Sequence, residues 1–338
     1  MSPDASGVAF VSAHALQERY LSERESNSKR MIPVSVRLIT NRWSNSAETQ
    51  TLSVQEARHS FIKPWMSLQS MVEILPTEFA SEGTAIRGNL VIPSGEGPFP
   101  GICKFHGLPG EPDQVSGLAT RLAEAGFAVL TFDFRGFRQS DGIFSLAGEI
   151  KDARAAISHL LESDLIAKSW SGVYAASFGA AVAVCAVAED KRVNALCLRA
   201  PVYDTLWFSR SPMIRPAVDY IVETDPTQIR GIEDPEIQAG MLHRMVEDAM
   251  VHNPMSEISK ISPCPLLVVH GSDDVDIDLA GVRRLYELAG KPKDLVIVEG
   301  ANHNLTNPHA YETTMSTVVE WFEKQWMNRR RKSNRPKT

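Results

Sequence analysis

The stretch Gly172-Val-Tyr-Ala-Ala-Ser177-Phe-Gly-Ala-Ala181 decides the reading of this chain. Residues 172–176 form a short apolar run of strand type, and residues 180–188 continue as an apolar helix. The serine between them is flanked by small residues: Ala175 two positions before it, Gly179 and Ala180 two and three positions after. A strand that turns sharply into a helix needs such neighbours, because larger side chains collide where the backbone doubles back. The turn lifts the Ser177 hydroxyl above the sheet edge and sets it at a helix N-terminus, where free backbone N–H groups favour negative charge.

Working outward, the pattern alternates. Upstream, residues 71–75 and 85–92 read as two strands joined by the turn signal Glu82-Gly83, an antiparallel hairpin at one edge. Residues 101–105 and 127–132 are further strands, separated by a helical stretch at 115–125. Ile150, Ala153, Ile157, Leu160 and Leu161 mark one face of a second helix. Downstream, strands at 193–198, 266–269 and 295–298 alternate with a helix at 282–288, and a last helix spans 310–327. Strands alternating with helices imply βαβ units and a mostly parallel sheet of eight strands with helices on both faces. The continuous apolar character of the later strands fits burial on both sides.

Four segments are expected. Residues 69–203 and 259–328 form the core, and 204–258, where the alternation stops, is a helical insertion over the carboxyl edge of the sheet, a lid. This insertion contains Met213, Met241, Met245, Met250 and Met255, adaptable material for an apolar pocket wall or for the insertion's own packing. Residues 1–68 are polar and form an N-terminal appendage, with a strand expected at 33–40 and a capping-box signal at Ser53 to Glu56. Residues 329–338, with Arg329, Arg330, Arg331, Lys332, Arg335 and Lys337, read as a basic, solvated tail.

Bulk properties narrow the function. The chain has 338 residues, 43% hydrophobic and 22% charged, with net charge −6, which gives no reason to expect a nucleic-acid partner. No apolar run approaches the roughly 20 residues that span a bilayer, and the first residues lack a signal-peptide pattern. Cys103, Cys185, Cys197 and Cys264 form no C-x-x-C pair and lie in apolar stretches, so they read as core thiols in a cytoplasmic protein. No His/Cys/carboxylate cluster suggests zinc, and no G-x-G-x-x-G follows a strand, so neither metal nor nucleotide cofactor is expected. Asp274, Asp276 and Asp278 have calcium-loop spacing, but the glycine and distal glutamate of such a loop are missing. Oligomeric state stays open at this level.

A serine hydroxyl needs a base, and the base needs a group that fixes its tautomer. His270-Gly-Ser-Asp-Asp274 follows one strand, and Gly300-Ala-Asn-His303 follows the last. The carboxyl ends of parallel strands share one side, so Ser177, Asp274 and His303 are candidates to converge there as nucleophile, acid and base. Asp273 and Asp204, the latter just after another strand, are alternative acids; His243, His252 and His309 read as surface or helix residues.

Residues 70–328 resemble the α/β-hydrolase superfamily. The marks are the elbow at Ser177, Phe105-His-Gly-Leu-Pro-Gly110, Asp133-Phe-Arg-Gly-Phe-Arg-Gln-Ser140, His270 to Asp274 and Gly300 to His303. Gly88-Asn-Leu-Val-Ile-Pro93 through Pro98-Phe-Pro-Gly101 is similar to the dienelactone-hydrolase, serine-aminopeptidase and acyl-peptidase branch. Two positions depart from the pattern: Ala175 replaces the first elbow glycine, and Arg138 stands where D-x-R-G-x-G-x-S has its second glycine. The resemblance selects Asp274 through the spacing H-G-x-x-D. It also implies an oxyanion hole from the backbone N–H groups of Leu108 and Phe178, and a loop-shaping part for His106. The expected activity is hydrolysis of a carboxylic ester or thioester of a small acyl substrate through an acyl-enzyme. Trp207, Phe208 and Met245 are candidates for the substrate wall. Amide or peptide hydrolysis, acyl transfer and carbon–carbon hydrolysis use the same triad, and a non-catalytic ligand-binding protein on this scaffold is the alternative of a different class.

Overall fold

The computed structural model describes residues 72–110 and 113–333. The chain divides into two units, 1–63 and 64–338, and the first lies outside the described residues, as do the strand and capping box expected within it.

Eight strands form one sheet: β1 (Val72–Ser81), β2 (Thr84–Pro93), β3 (Phe99–Phe105), β4 (Ala128–Phe132), β5 (Ile166–Ala176), β6 (Ala195–Arg199), β7 (Leu266–Gly271) and β8 (Lys293–Val298). Their order is β1-β2-β4-β3-β5-β6-β7-β8. β2 is antiparallel to both neighbours, and β3 to β8 run parallel. The edge hairpin turns on Glu82 and Gly83, both with positive φ (49° and 83°), the signature of a two-residue turn matched to strand twist.

The helices are α1 (Leu118–Glu124), α2 (Leu146–Glu162), α3 (Phe178–Glu189), α4 (Thr205–Ser209), α5 (Ile214–Thr224), α6 (Pro235–Val251), α7 (Pro254–Glu257), α8 (Leu279–Leu288) and α9 (Pro308–Ser333). Among the described residues, no helix is long and apolar enough to cross a membrane. Two apolar layers result. One contains Cys103, Phe105, Leu196, Leu198, Leu266 and Val268 with α2, α3 and α8; the other contains Ile102, Cys197, Leu267 and Val269 with α1 and α9. Alternate residues of each strand therefore face opposite layers, which is why the central stretches of the parallel strands, such as Leu196 to Leu198 and Leu266 to Val269, are continuously apolar.

Helix ends follow the local chemistry. Ser145 caps α2 through Gly148 N, Asp234 caps α6 just before Pro235, and Asp278 caps α8. Between β6 and β7 the chain is helical (α4 to α7), and Met241, Met245 and Ala249 form the buried stripe of α6. The C-terminal helix extends further than its sequence pattern indicates. Arg329 to Arg331 lie on α9 and not in a frayed tail: Arg329 Nε donates to the Ser169 carbonyl at 3.3 Å, and the Arg330 guanidinium stands 5.9 Å from the Trp326 ring centre. All four cysteines are free thiols, and Cys103, Cys185 and Cys197 are buried.

Candidate active site

β5 ends at Ala176 and α3 begins at Phe178, leaving Ser177 alone to make the turn, at φ 53° and ψ −121°. A non-glycine residue held there costs about 1–3 kcal/mol and persists only where its surroundings fix it. The backbone does so: Ser177 N donates to Arg199 O at 2.9 Å, and Ser177 O accepts from Val202 N at 3.1 Å. Gly179 is required sterically, since a Cβ there would lie 2.1 Å from His106 O. Ala175, where the elbow pattern has glycine, is wholly buried between Phe105 and Leu198 of the neighbouring strands. That site accommodates a methyl group.

The other two residues arrive on loops after β7 and β8. His303 Nε2 lies 3.0 Å from Ser177 Oγ, and His303 Nδ1 lies 2.8 Å from Asp274 Oδ2. Asp274 Oδ1 accepts from the backbone N–H groups of Asp276 and Ile277, each at 3.0 Å. The two loops are laced together. Ser272 N donates to Val298 O (3.0 Å), Asp273 N to Ala301 O (3.0 Å), and Gly300 N to Ser272 Oγ (2.8 Å). Gly271 permits this approach, because a Cβ there would fall 2.0 Å from Ala301 O.

Burial pushes the Asp274 carboxyl pKa up, but the hydrogen bond and charge of His303 and the Ile277 amide outweigh it and hold the group below its ordinary value. Asp274 is thus a carboxylate at neutral pH, able to hold Nδ1–H on His303 and leave Nε2 to receive a proton from the serine. A serine, an imidazole and a carboxylate in this relay can perform nucleophilic attack with proton transfer.

The alternative acids are occupied elsewhere. Asp204 caps α4, accepting from Leu206 N (2.9 Å), Trp207 N (3.0 Å) and Asn253 Nδ2 (2.8 Å). Asp273 is exposed and accepts from Ser272 Oγ. His106 shapes its loop, with Nε2 accepting from Phe134 N at 3.0 Å and Nδ1 2.7 Å from Gly107 O. Gly107 lies against the serine, where a Cβ would sit 3.0 Å from Ser177 Cβ, so the loop carrying Leu108 runs beside the hydroxyl. Phe178 is the first residue of α3, and its N–H has no carbonyl a turn earlier in that helix.

Phe208 packs on Phe178 with ring centres 5.5 Å apart, next to the serine, and Trp207 stacks on Tyr203 at 5.0 Å with 39% of its surface exposed. Met245 differs: at 2% exposure it lies in the main apolar layer and presents no surface to a ligand. Carboxylate oxygens of Asp274 and Asp276 and a nitrogen of His303 come within 4.8 Å of one another, the one such grouping among the described residues. Asp274 already spends Oδ1 on two amides and Oδ2 on His303, so a cation would have to displace these bonds.

Three further residues bear on the site: Arg199 and Tyr203 carried no sequence signal, and His270 entered only as the first residue of H-G-x-x-D. Arg199 Nη1 donates to His303 O at 2.6 Å and so holds the base loop. The Tyr203 hydroxyl donates to Asp278, tying the start of the helical insertion to the acid loop. His270 is buried with Nδ1 3.9 Å from Asp274 Oδ2 and neither nitrogen hydrogen-bonded. Burial keeps its pKa below the ordinary histidine value against the pull of Asp274. Arg199 reads from sequence as the polar end of a strand, and only the assembled sheet brings it to His303.

Known proteins agree with this architecture. Residues 98–309 match the family described as "Serine aminopeptidase, S33". Protein YfhR of Escherichia coli O157:H7 is 26% identical over 231 residues, 66% of this chain and 71% of its own length. Among solved structures, a hypothetical protein from Pseudomonas aeruginosa superposes with TM-score 0.60 at 21% identity, covering 76% of this chain and 95% of that one. The alpha/beta hydrolase GrgF from Penicillium sp. sh18 does so with TM-score 0.58 at 21% identity, covering 75% and 98%. With a mostly parallel eight-stranded sheet, a serine elbow at its carboxyl edge and a family match across most of that sheet, the chain belongs to the serine aminopeptidase S33 family of α/β hydrolases.

Proposed function

We propose that this protein is a serine hydrolase that cleaves a carboxylic ester or thioester through an acyl-enzyme on Ser177. The observation that carries the reading is the pair of contacts from Ser177 Oγ to His303 Nε2 (3.0 Å) and from His303 Nδ1 to Asp274 Oδ2 (2.8 Å). Ser177 attacks the carbonyl while His303 takes its proton, and Asp274 stabilises the imidazolium. The backbone N–H groups of Phe178 and Leu108 receive the oxyanion, a contribution of about 3–4 kcal/mol per donor in comparable sites. His303 then protonates the leaving group, and a water deprotonated by the same ring releases the acid. These steps draw on the chain's own groups and use no cofactor.

The helical insertion 204–258 acts as the lid, with Phe208 and Trp207 as the wall nearest the serine and Met245 supporting that wall from behind. Phe208 packs directly on the residue after the nucleophile, which supports its place in the acyl pocket. The family description favours a second reading, an amide or peptide substrate. A matched panel of acetyl ester, thioester and anilide substrates separates the two. Ester and thioester turnover well above anilide turnover, lost in Ser177→Ala, is the expected result. Faster anilide cleavage would establish the amidase reading, and turnover that survives Ser177→Ala would remove the serine mechanism.

A further inference from the structure

Away from Ser177, one cavity carries polar groups that the relay does not use. Its volume is about 160 Å³, and its lining includes Asn89, Asp113, Gln114, Phe132, Asp133 and Arg138. It lies at the carboxyl end of β4, and β3 separates β4 from β5 in the sheet. At strand spacing this is about 10 Å from the elbow, across the His106 loop.

The side-chain groups of this cavity are unevenly satisfied. Arg138 Nη1 faces Asp225 at 3.9 Å, while its Nε and Nη2 are buried and have no partner. Nε–H and Nη2–H form the side-on fork of a guanidinium, which matches two adjacent acceptor atoms. Gln114, 9% exposed, donates through Nε2 to Asp133, which leaves Oε1 as a buried acceptor without a donor. The cavity therefore offers two donors on one fork and one acceptor. Arg138 also holds φ 39°, a conformation that suits glycine, at the position where the related loop pattern has glycine. A long cationic side chain kept on such a backbone is an outlier that invites a functional reading.

Charge selects the ligand class. The Asp113 and Asp133 carboxylates are matched by Arg138 and by the buried Lys104, whose charge reaches both. With Asp225 on Arg138 Nη1, three negative groups stand against two positive ones, so an anionic ligand gains no net attraction, and a cation would face the donors of the Arg138 fork. A carboxylate on the fork would also bring no proton for Gln114 Oε1 and would face Asp133. Two adjacent hydroxyls meet every requirement: both oxygens accept from Arg138, one O–H donates to Gln114 and the other to a carboxylate. A cavity of about 150 Å³ holds a six-membered ring, which sets the scale.

We propose that the cavity between Arg138 and Gln114 binds the vicinal diol of a small, neutral, polyhydroxylated molecule no larger than a monosaccharide. The proposal does not depend on the reading of Ser177, and its test uses Ser177→Ala protein so that turnover plays no part. Saturation-transfer NMR and titration are run with D-ribose and glycerol, and with acetate and glycolate as charged probes. Two further variants are compared. Arg138→Gly relieves the positive φ and should melt no lower than the parent; Arg138→Lys keeps the charge and loses the fork. D-ribose should bind saturably at millimolar concentration and weaken about tenfold or more in both variants, with acetate and glycolate inert. No Arg138-dependent signal from either polyol would overturn the proposal and leave a solvent-filled cavity. Acetate or glycolate binding as tightly as D-ribose, and retained in Arg138→Lys, would overturn it in favour of an anion site.

Discussion

Asp274→Asn tests the relay at the residue that sets the tautomer of its base. In the wild type Oδ1 accepts two backbone N–H groups at 3.0 Å, and Oδ2 faces His303 Nδ1 at 2.8 Å. Those two donors fix the orientation of an asparagine amide: its oxygen must stay with them, so its NH₂ occupies the place of Oδ2. That NH₂ donates toward His303 Nδ1, which then has to be the acceptor, with the ring proton on Nε2. A ring protonated at Nε2 cannot take the proton of Ser177. The substitution thus leaves the geometry and reverses the tautomer, for which about a 10⁴-fold loss of kcat is expected, or about 5.4 kcal/mol of activation free energy. Hydrolysis of p-nitrophenyl acetate by protein of verified melting temperature measures it. Asp204→Asn is the companion variant, because its Oδ1 remains an acceptor at the start of α4, and its activity should stay within about fivefold of wild type. Asp274→Asn within tenfold of wild type, or Asp204→Asn falling as far as Asp274→Asn is expected to, would refute the tautomer argument.

Other expectations follow from single contacts. Gly179→Ala should fail to fold or lose several kcal/mol, because its Cβ would lie 2.1 Å from His106 O, whereas Ala175→Gly should fold with near-normal activity; expression and thermal melts distinguish them. Glu149 is buried, with Oε1 unpartnered and its pKa raised by burial and then by Asp152. Its folded-state pKa exceeds the unfolded one, so the stability it contributes is full below pH 4.5 and is lost as pH rises through the folded value. Glu149→Gln should therefore flatten the fall in melting temperature toward alkaline pH, seen in a melt series from pH 5 to pH 9. Met245→Ala should cost about 2–5 kcal/mol of stability as a buried truncation, while Trp207→Ala should change acyl-length preference about tenfold with little change in melting temperature.

Much of the fold is legible in the sequence, for physical reasons that differ by element. The parallel strands are legible because burial on both faces makes their central stretches continuously apolar, as in Leu266 to Val269. The hairpin is legible because Gly83 supplies a residue free to adopt positive φ between two apolar runs, and the turn holds Glu82 at positive φ beside it. Ser177, Asp274 and His303 could be nominated because each follows a strand whose carboxyl end lies at one edge. What escaped was set by tertiary approach. Arg199 looks like an ordinary strand-end cation until its guanidinium is found on the His303 carbonyl. Met245 and Trp207 read alike as apolar residues of one insertion, yet helix geometry buries Met245 and leaves Trp207 at the surface. The extent of α9 is not legible in the sequence, because its last turns are basic and lack an apolar stripe; contacts with Ser169 and Trp326 hold them instead.

The central claim is that Ser177 is an activated nucleophile, and covalent labelling with a fluorophosphonate followed by peptide-mapping mass spectrometry tests it most directly. The account requires a single adduct on Ser177, formed rapidly in the wild type, slowed strongly in Asp274→Asn and absent in Ser177→Ala. An unlabelled folded wild type, or an adduct that persists in Ser177→Ala, would contradict it.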